Sequence, residues 1–324
     1  MNLIILIIFS ILVLSIFISI LIIGSYFSSK NPPPYSGPVT RIFIIGDSFT
    51  FKNNFPNILQ ILLGDSYIVN SYCVPRLNLT VAYADDNVKS MIVNGKYDYV
   101  VLQDQSARCF MSTKKFEQST IDFVRLIRSV GSYPVLYEPW AYKSDHADLN
   151  HGGKKKKSFC ARLYNYNRVP KRAVELCNSD HETTTPEKIQ KYTLKEYQSI
   201  SRKLENIPII YVGEAWWSLK DQRESILFNI CDKKHPNVAG SYFNALIVYK
   251  FFTGKDVTNL PTNNITYCAD CKSKTNPPGY PKCYDCCYIP HLNPDCDTCK
   301  QPLVTLDPDL VKKLQNYAQN FTSE

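Results

Sequence analysis

No basic side chain precedes the first apolar run. Met1-Asn2 leads straight into residues 3–23, almost unbroken Leu, Ile, Val and Phe interrupted only by serines. A secretory signal peptide has a basic start and a shorter apolar core. This stretch therefore reads as an uncleaved transmembrane anchor, since about 21 apolar residues span a bilayer as one helix. Cleavage near Gly24-Ser25 is the alternative. Internal repeats are also absent. No basic helix or interleaved aromatic-basic stripe accompanies the net charge of +8. Part of that charge sits in the lysine run 154–157, which reads as a solvated loop, so no nucleic acid partner is expected. A hydrophobic share of 44% and a charged share of 20% exclude a disordered chain. His146 and His151 lie close together in DHADLNH, but their spacing suits no strong metal motif, and no metal or cofactor is assigned.

Cysteine, by contrast, is plentiful. Twelve are present, seven of them between Cys268 and Cys299. Three CxxC pairs, Cys268/Cys271, Cys283/Cys286 and Cys296/Cys299, are joined there by Cys287 and His291. In an oxidising compartment they form disulfides; in the cytosol the same spacing would bind zinc, the lesser alternative here. One economical pairing joins the tail's extra cysteine to Cys231, Cys73 to Cys109, and Cys160 to Cys177. Anchor and cysteines together favour a single-pass membrane protein with a lumenal or extracellular body. Lys30 and Arg41, which follow the span, lean towards a cytoplasmic body, so orientation stays open. Sequons at Asn78, Asn264 and Asn320 are no more than chance would supply.

A chain of 324 residues holds one α/β domain with appendages. Residues 1–25 form the anchor and 26–39 a Pro-rich linker containing NPPPYSGP. The main domain covers 40–256, with an inserted loop at 142–185 that reads as substrate-facing. A Cys-rich segment, 257–305, and a C-terminal helix, 306–324, follow. Within the domain, apolar runs near 42–45, 67–69, 98–102, 133–137 and 207–212 read as strands. Helical patterns near 55–63, 78–93, 114–129, 186–204 and 237–252 separate or follow them. Such alternation implies a three-layer α/β/α sandwich with a mostly parallel, flavodoxin-like sheet.

Two stretches at opposite ends of the domain carry chemistry. RIFIIGDSFT is a buried strand that breaks at Gly46 and places Ser48 at its carboxyl end, where ligands bind in open α/β sheets. A serine there needs a base. CDKKHPN supplies His235, three residues after Asp232, and Pro236 suits a first helical turn. An imidazole that takes the hydroxyl proton, itself oriented by a carboxylate, makes serine a nucleophile.

GDSFT at 46–50, DKKHPN at 232–237 and Gly240-Ser241-Tyr242 resemble the SGNH/GDSL hydrolase superfamily. The resemblance covers residues 41–254, and VVLQDQS and Gly213-Glu214-Ala215-Trp216 suit a branch whose third block is a Gln-rich strand end. It implies the SGNH hydrolase fold, with Ser48 as nucleophile, His235 as base and Asp232 as its partner. It also implies three oxyanion donors: the nucleophile's N–H, a second-block glycine N–H and a third-block asparagine. Gln105 best matches the third, with Gln103 a second candidate. The second block departs from the pattern: NSYCVPRLN has no glycine, leaving N–H groups at Val74, Arg76 and Leu77. Asn53 and Asn54 read as substrate contacts or as helix caps. Trp140, Trp216 and Trp217 read as core or as faces for sugar rings.

The implied activity is hydrolysis of an ester, such as an O-acetylated carbohydrate, through a serine acyl-enzyme. The partners are then an acylated small molecule or carbohydrate, and the membrane through the N-terminal helix. Acyl transfer to a glycan hydroxyl uses the same triad, and a silent carbohydrate-binding protein fits the missing glycine.

Overall fold

The computed structural model describes residues 39–75, 77–105, 113–144, 185–220, 222–228, 233–262, 266–268 and 303–323. Outside them lie the expected anchor and most of the linker, Arg76, Cys109, most of the inserted loop including Cys160 and Cys177, Cys231, Asp232, the Asn264 sequon and most of the Cys-rich segment. Among the described residues no helix is long and apolar enough to cross a membrane.

The main domain runs β1 (Thr40–Gly46), α1 (Ser48–Phe51), α2 (Phe55–Leu63), β2 (Tyr67–Cys73), α3 (Leu79–Ala84), α4 (Asp86–Asn94), β3 (Tyr99–Leu102) and α5 (Thr113–Ser129). It continues with β4 (Tyr133–Glu138), α6 (Pro186–Lys203), β5 (Ile209–Tyr211), α7 (Val212–Ser218), α8 (Gln222–Ile226) and α9 (Val238–Thr253). The five strands pair in the order β2-β1-β3-β4-β5, and every pairing is parallel. The expected single helix at 78–93 is two, because Asp85 adopts an extended conformation and caps α4 through a bond from Asn87 N. Strand β2 runs on to Cys73, four residues beyond its apolar start, because Gly46 at the end of β1 pairs with Cys73.

Alternation along β1 explains why it reads as an unbroken apolar run. Ile42 and Ile44 enter one core with residues of α2, α7 and α9; Phe43 and Ile45 enter a second core with α3, α4, α5 and α6. A strand buried on both faces has no place for a polar side chain.

Two further strands, β6 (Thr266–Cys268) and β7 (Leu303–Thr305), pair antiparallel and bring the two ends of the Cys-rich segment together. The chain ends in α10 (Pro308–Asn320). Rather than an appendage, α10 belongs to the domain: Val311, Leu314 and Ala318 lie in the same core as α9. Gln315 donates to Tyr242 Oη and to the Leu260 carbonyl, each at 2.9 Å. Lys250 Nζ donates to the carbonyls of Ala318, Gln319 and Phe321 at 3.2, 2.6 and 3.0 Å, closing the end of α10. A cation there also suits the negative end of the helix dipole. Because α10 covers it, α9 is buried around nearly its whole circumference, as a helix apolar on every side requires.

Leu314→Ala is expected to cost about 2–5 kcal/mol of stability, read as a lowered midpoint in thermal or urea denaturation. Lys312→Ala, on the exposed face of the same helix, is expected to stay within about 0.5 kcal/mol of the parent.

Candidate active site

Strand β1 ends in a turn that presents Ser48. Asp47 caps α1, its carboxylate accepting from Phe49 N at 2.9 Å, and Thr50 N closes the turn on Asp47 O at 3.0 Å. Gln103, buried at the end of neighbouring β3, braces this turn from below. Its Oε1 accepts from Asp47 N at 2.8 Å and from Thr50 Oγ1 at 3.1 Å, while its Nε2 donates to the Asp104 carbonyl. The brace explains the glycine: a Cβ on Gly46 would overlap both Thr50 Oγ1 and Gln103 Oε1.

His235 arrives from the loop before α9. That loop is held at several points by its backbone. Phe228 and Pro236 form a bridge, Asn237 N donates to Leu227 O at 2.8 Å, and Asn237 Nδ2 to Ile226 O at 2.7 Å. Asn237 Oδ1 also caps α9, accepting from Gly240 N at 2.8 Å. From the end of β4, Trp140 Nε1 donates to Lys234 O at 3.1 Å and Lys143 N to Lys233 O at 3.0 Å. Phe49 meets the imidazole edge-on, ring centres 5.7 Å apart. The outcome is the expected convergence: His235 Nε2 lies 2.7 Å from Ser48 Oγ. With the imidazole proton on Nδ1, the hydroxyl donates to Nε2. Asp232, the expected partner of Nδ1, lies outside the described residues.

The other sequence-derived assignments divide. Gln103 is fully buried beneath the turn, its Oε1 accepting twice and its Nε2 donating to the Asp104 carbonyl, so it serves there as a brace. The Asn53 amide nitrogen is turned towards the protein rather than offered to a ligand. It donates to Pro236 O at 3.1 Å and to Ser241 Oγ at 2.8 Å, which uses both hydrogens. Asn54 stands at the cap of α2 in a left-handed conformation but makes no side-chain capping bond. Gln105 keeps the oxyanion role open: its N–H donates to Asp104 Oδ1 at 2.9 Å, and its side-chain amide has no partner among the described residues. In the second block the Val74 N–H bonds Gly46 O and the Leu77 N–H bonds Val74 O, both at 3.2 Å. Neither is available to an oxyanion. Cys73, expected to pair with Cys109, is a free thiol; it accepts from Thr50 Oγ1, and burial pushes its pKa up to about 12. Trp140 and Trp216 are core residues stacked at 4.1 Å, with Phe49 stacked on Trp140 at 4.3 Å. Trp217 carries the Arg223 guanidinium 4.2 Å from its ring centre.

Sequence reasoning missed a buried amide-carboxyl cluster on the same rim. Gln190 Nε2 donates to both Glu138 and Glu214, Gln190 Oε1 accepts from Ala141 N, and Glu214 N donates to Glu138 Oε2. Burial, and then the neighbouring Glu214 charge, raise the Glu138 pKa well above the ordinary carboxylate range. Burial likewise raises that of Glu214. Only the Gly-Glu-Ala-Trp stretch hinted at this cluster, since Glu138 and Gln190 come from separate elements.

A five-stranded parallel sheet in this order, with serine at the carboxyl end of β1 and histidine ahead of the last sheet-covering helix, is the fold of the SGNH hydrolases. A protein of Slackia heliotrinireducens described as an SGNH hydrolase superimposes with a TM-score of 0.51 at 17% identity, over 66% of this chain and 98% of its own. A DUF4886 family protein from Bacteroides uniformis gives a TM-score of 0.54 at 15% identity, over 87% of this chain and 94% of its own. No family model matches the sequence, and no curated protein matches it.

Two expectations follow. Gln103→Leu orphans the buried Asp47 N–H, so a stability loss of about 1–3 kcal/mol is expected in urea denaturation. Because Glu138 and Glu214 hold protons more tightly folded than unfolded, stability falls as pH rises from about 4.5 towards their folded pKa values. Glu214→Gln removes one of these groups and the charge acting on the other. The urea midpoint is then expected to decline less between pH 5 and pH 8 than in the parent.

Proposed function

We propose that the chain is a serine esterase of the SGNH type. The observation that carries this reading is the 2.7 Å approach of His235 Nε2 to Ser48 Oγ, between residues far apart in sequence and on a rim where such folds bind ligands. In the proposed reaction, Ser48 Oγ attacks the ester carbonyl carbon while its proton passes to His235 Nε2. The tetrahedral intermediate collapses as the imidazolium returns that proton to the departing alcohol, leaving an acyl group on Ser48. Water, deprotonated by His235, attacks the acyl carbon; Ser48 recovers its proton and the acid leaves. Asp232 is assigned to orient the imidazole and stabilise its charged form.

The Ser48 N–H and the Gln105 amide are assigned to the oxyanion. With the second-block N–H groups of Val74 and Leu77 engaged elsewhere, the turnover expected is modest, since one missing donor costs about two to three orders of magnitude. The substrate class proposed from the family resemblance is an O-acetylated carbohydrate. The same engagement supports a second reading, a binding protein that uses the cleft without turnover. Transfer of the acyl group to a sugar hydroxyl would change only the group that resolves the acyl-enzyme.

Purified protein is expected to hydrolyse p-nitrophenyl acetate above the buffer rate, with Ser48→Ala and His235→Ala each reducing kcat by at least about a thousandfold. A parent rate equal to that of Ser48→Ala would favour the binding protein.

A further inference from the structure

The contact between Ser48, at the start of α1, and His235, in the loop before α9, joins segments 187 residues apart in sequence, so tertiary contacts must set their separation. Immediately after α1 the chain makes a tight turn through Lys52, Asn53 and Asn54, with Asn53 at φ 54° and Asn54 at φ 55°. This is the left-handed region that asparagine tolerates better than other residues bearing a Cβ. The turn aims the Asn53 amide across the cleft at the histidine side. One Nδ2 hydrogen reaches Pro236 O, the carbonyl of the residue directly after His235, at 3.1 Å. The other reaches Ser241 Oγ on the first turn of α9, at 2.8 Å. Ser241 Oγ returns a hydrogen bond to Lys52 O at 3.2 Å. Ser241 is fully buried and Lys52 nearly so, and hydrogen bonds shielded from water hold geometry more firmly than exposed ones.

We propose that Asn53 is a positioning residue that sets the distance between the nucleophile and its base. It ties the serine loop to the backbone beside His235 and to the helix that follows, forming a closed ring through Ser241 and Lys52. Its Nδ2 bonds reach Pro236 O and Ser241 Oγ, neither of them a reacting atom. This inference rests on the esterase reading only for its kinetic readout; the imidazole readout below is independent of it. Displacement of a catalytic pair by about an ångström can cost on the order of a hundredfold in rate.

The decisive variant is Asn53→Gly, which keeps the left-handed backbone without strain and removes only the amide. Three measurements apply to the full chain: p-nitrophenyl acetate kinetics, thermal denaturation, and the ring-nitrogen NMR signals of His235 over a pH titration, identified by their loss in His235→Ala. The expected result is a kcat about 10- to 100-fold lower with KM nearly unchanged. The His235 ring signals are expected to shift towards those of Ser48→Ala, with the fold retained. Ser241→Ala, which removes one of the two acceptors, is expected to shift the same signals less, and serves if Asn53→Gly does not fold. A folded Asn53→Gly protein with parent-like His235 signals and parent-like kcat would overturn the proposal. If the parent itself turns over no ester, the esterase reading fails while the His235 signals still decide for or against the tether.

Discussion

Helix α9 has almost no face towards solvent, and the functional geometry depends on that constraint. It is wedged between the sheet and α2 on one side and α10 on the other, and Lys250 near its end locks α10 in place through three carbonyls. A helix held on all sides cannot slide, so its first residue is fixed too. Asn237 caps that helix, and His235 stands two residues earlier. Gly240 allows the close fit, because a Cβ there would overlap the Leu227 carbonyl and crowd Trp216. The imidazole is thus placed by packing some distance from it.

The serine is placed by different forces. Gln103 fills the space beneath the turn and accepts from the Asp47 N–H and the Thr50 hydroxyl, so the orientation of Ser48 follows from β1 and β3 lying side by side. Phe49, the next residue, stacks on Trp140, which stacks on Trp216 and bonds the Lys234 carbonyl beside His235. Aromatic stacking and amide hydrogen bonds therefore link the two halves of the site twice, once through the core and once across the turn at Asn53. The polar side chains of this region are largely engaged in holding shape. Among the described residues, the N–H groups of Val74 and Leu77 are likewise taken up within the backbone.

Most secondary structure was legible because each element carries its own period. Unbroken Ile-Phe-Ile-Ile marks a strand buried on both faces, and the apolar spacing of 114–129 marks one helix face. Ser48 and His235 were legible because glycine, acidic and hydroxyl residues at a strand end, and histidine before proline, are local patterns. The roles of Gln103 and Asn53 were not. An amide that donates to an oxyanion and an amide that braces a turn are the same residue in a sequence, and only the partner tells them apart. The engagement of the Val74 N–H by Gly46 was equally hidden, because it follows from the length of β2.

The sequence by itself therefore determined the elements, the parallel sheet and the pair of residues brought together, since these rest on periodicity and short-range backbone preference. Only the tertiary structure decided which polar groups face the cleft and which are engaged in holding it, and that α10 completes the domain. Hydrogen-bond partners and helix packing are relations between residues distant in the chain, and a local pattern holds no record of them.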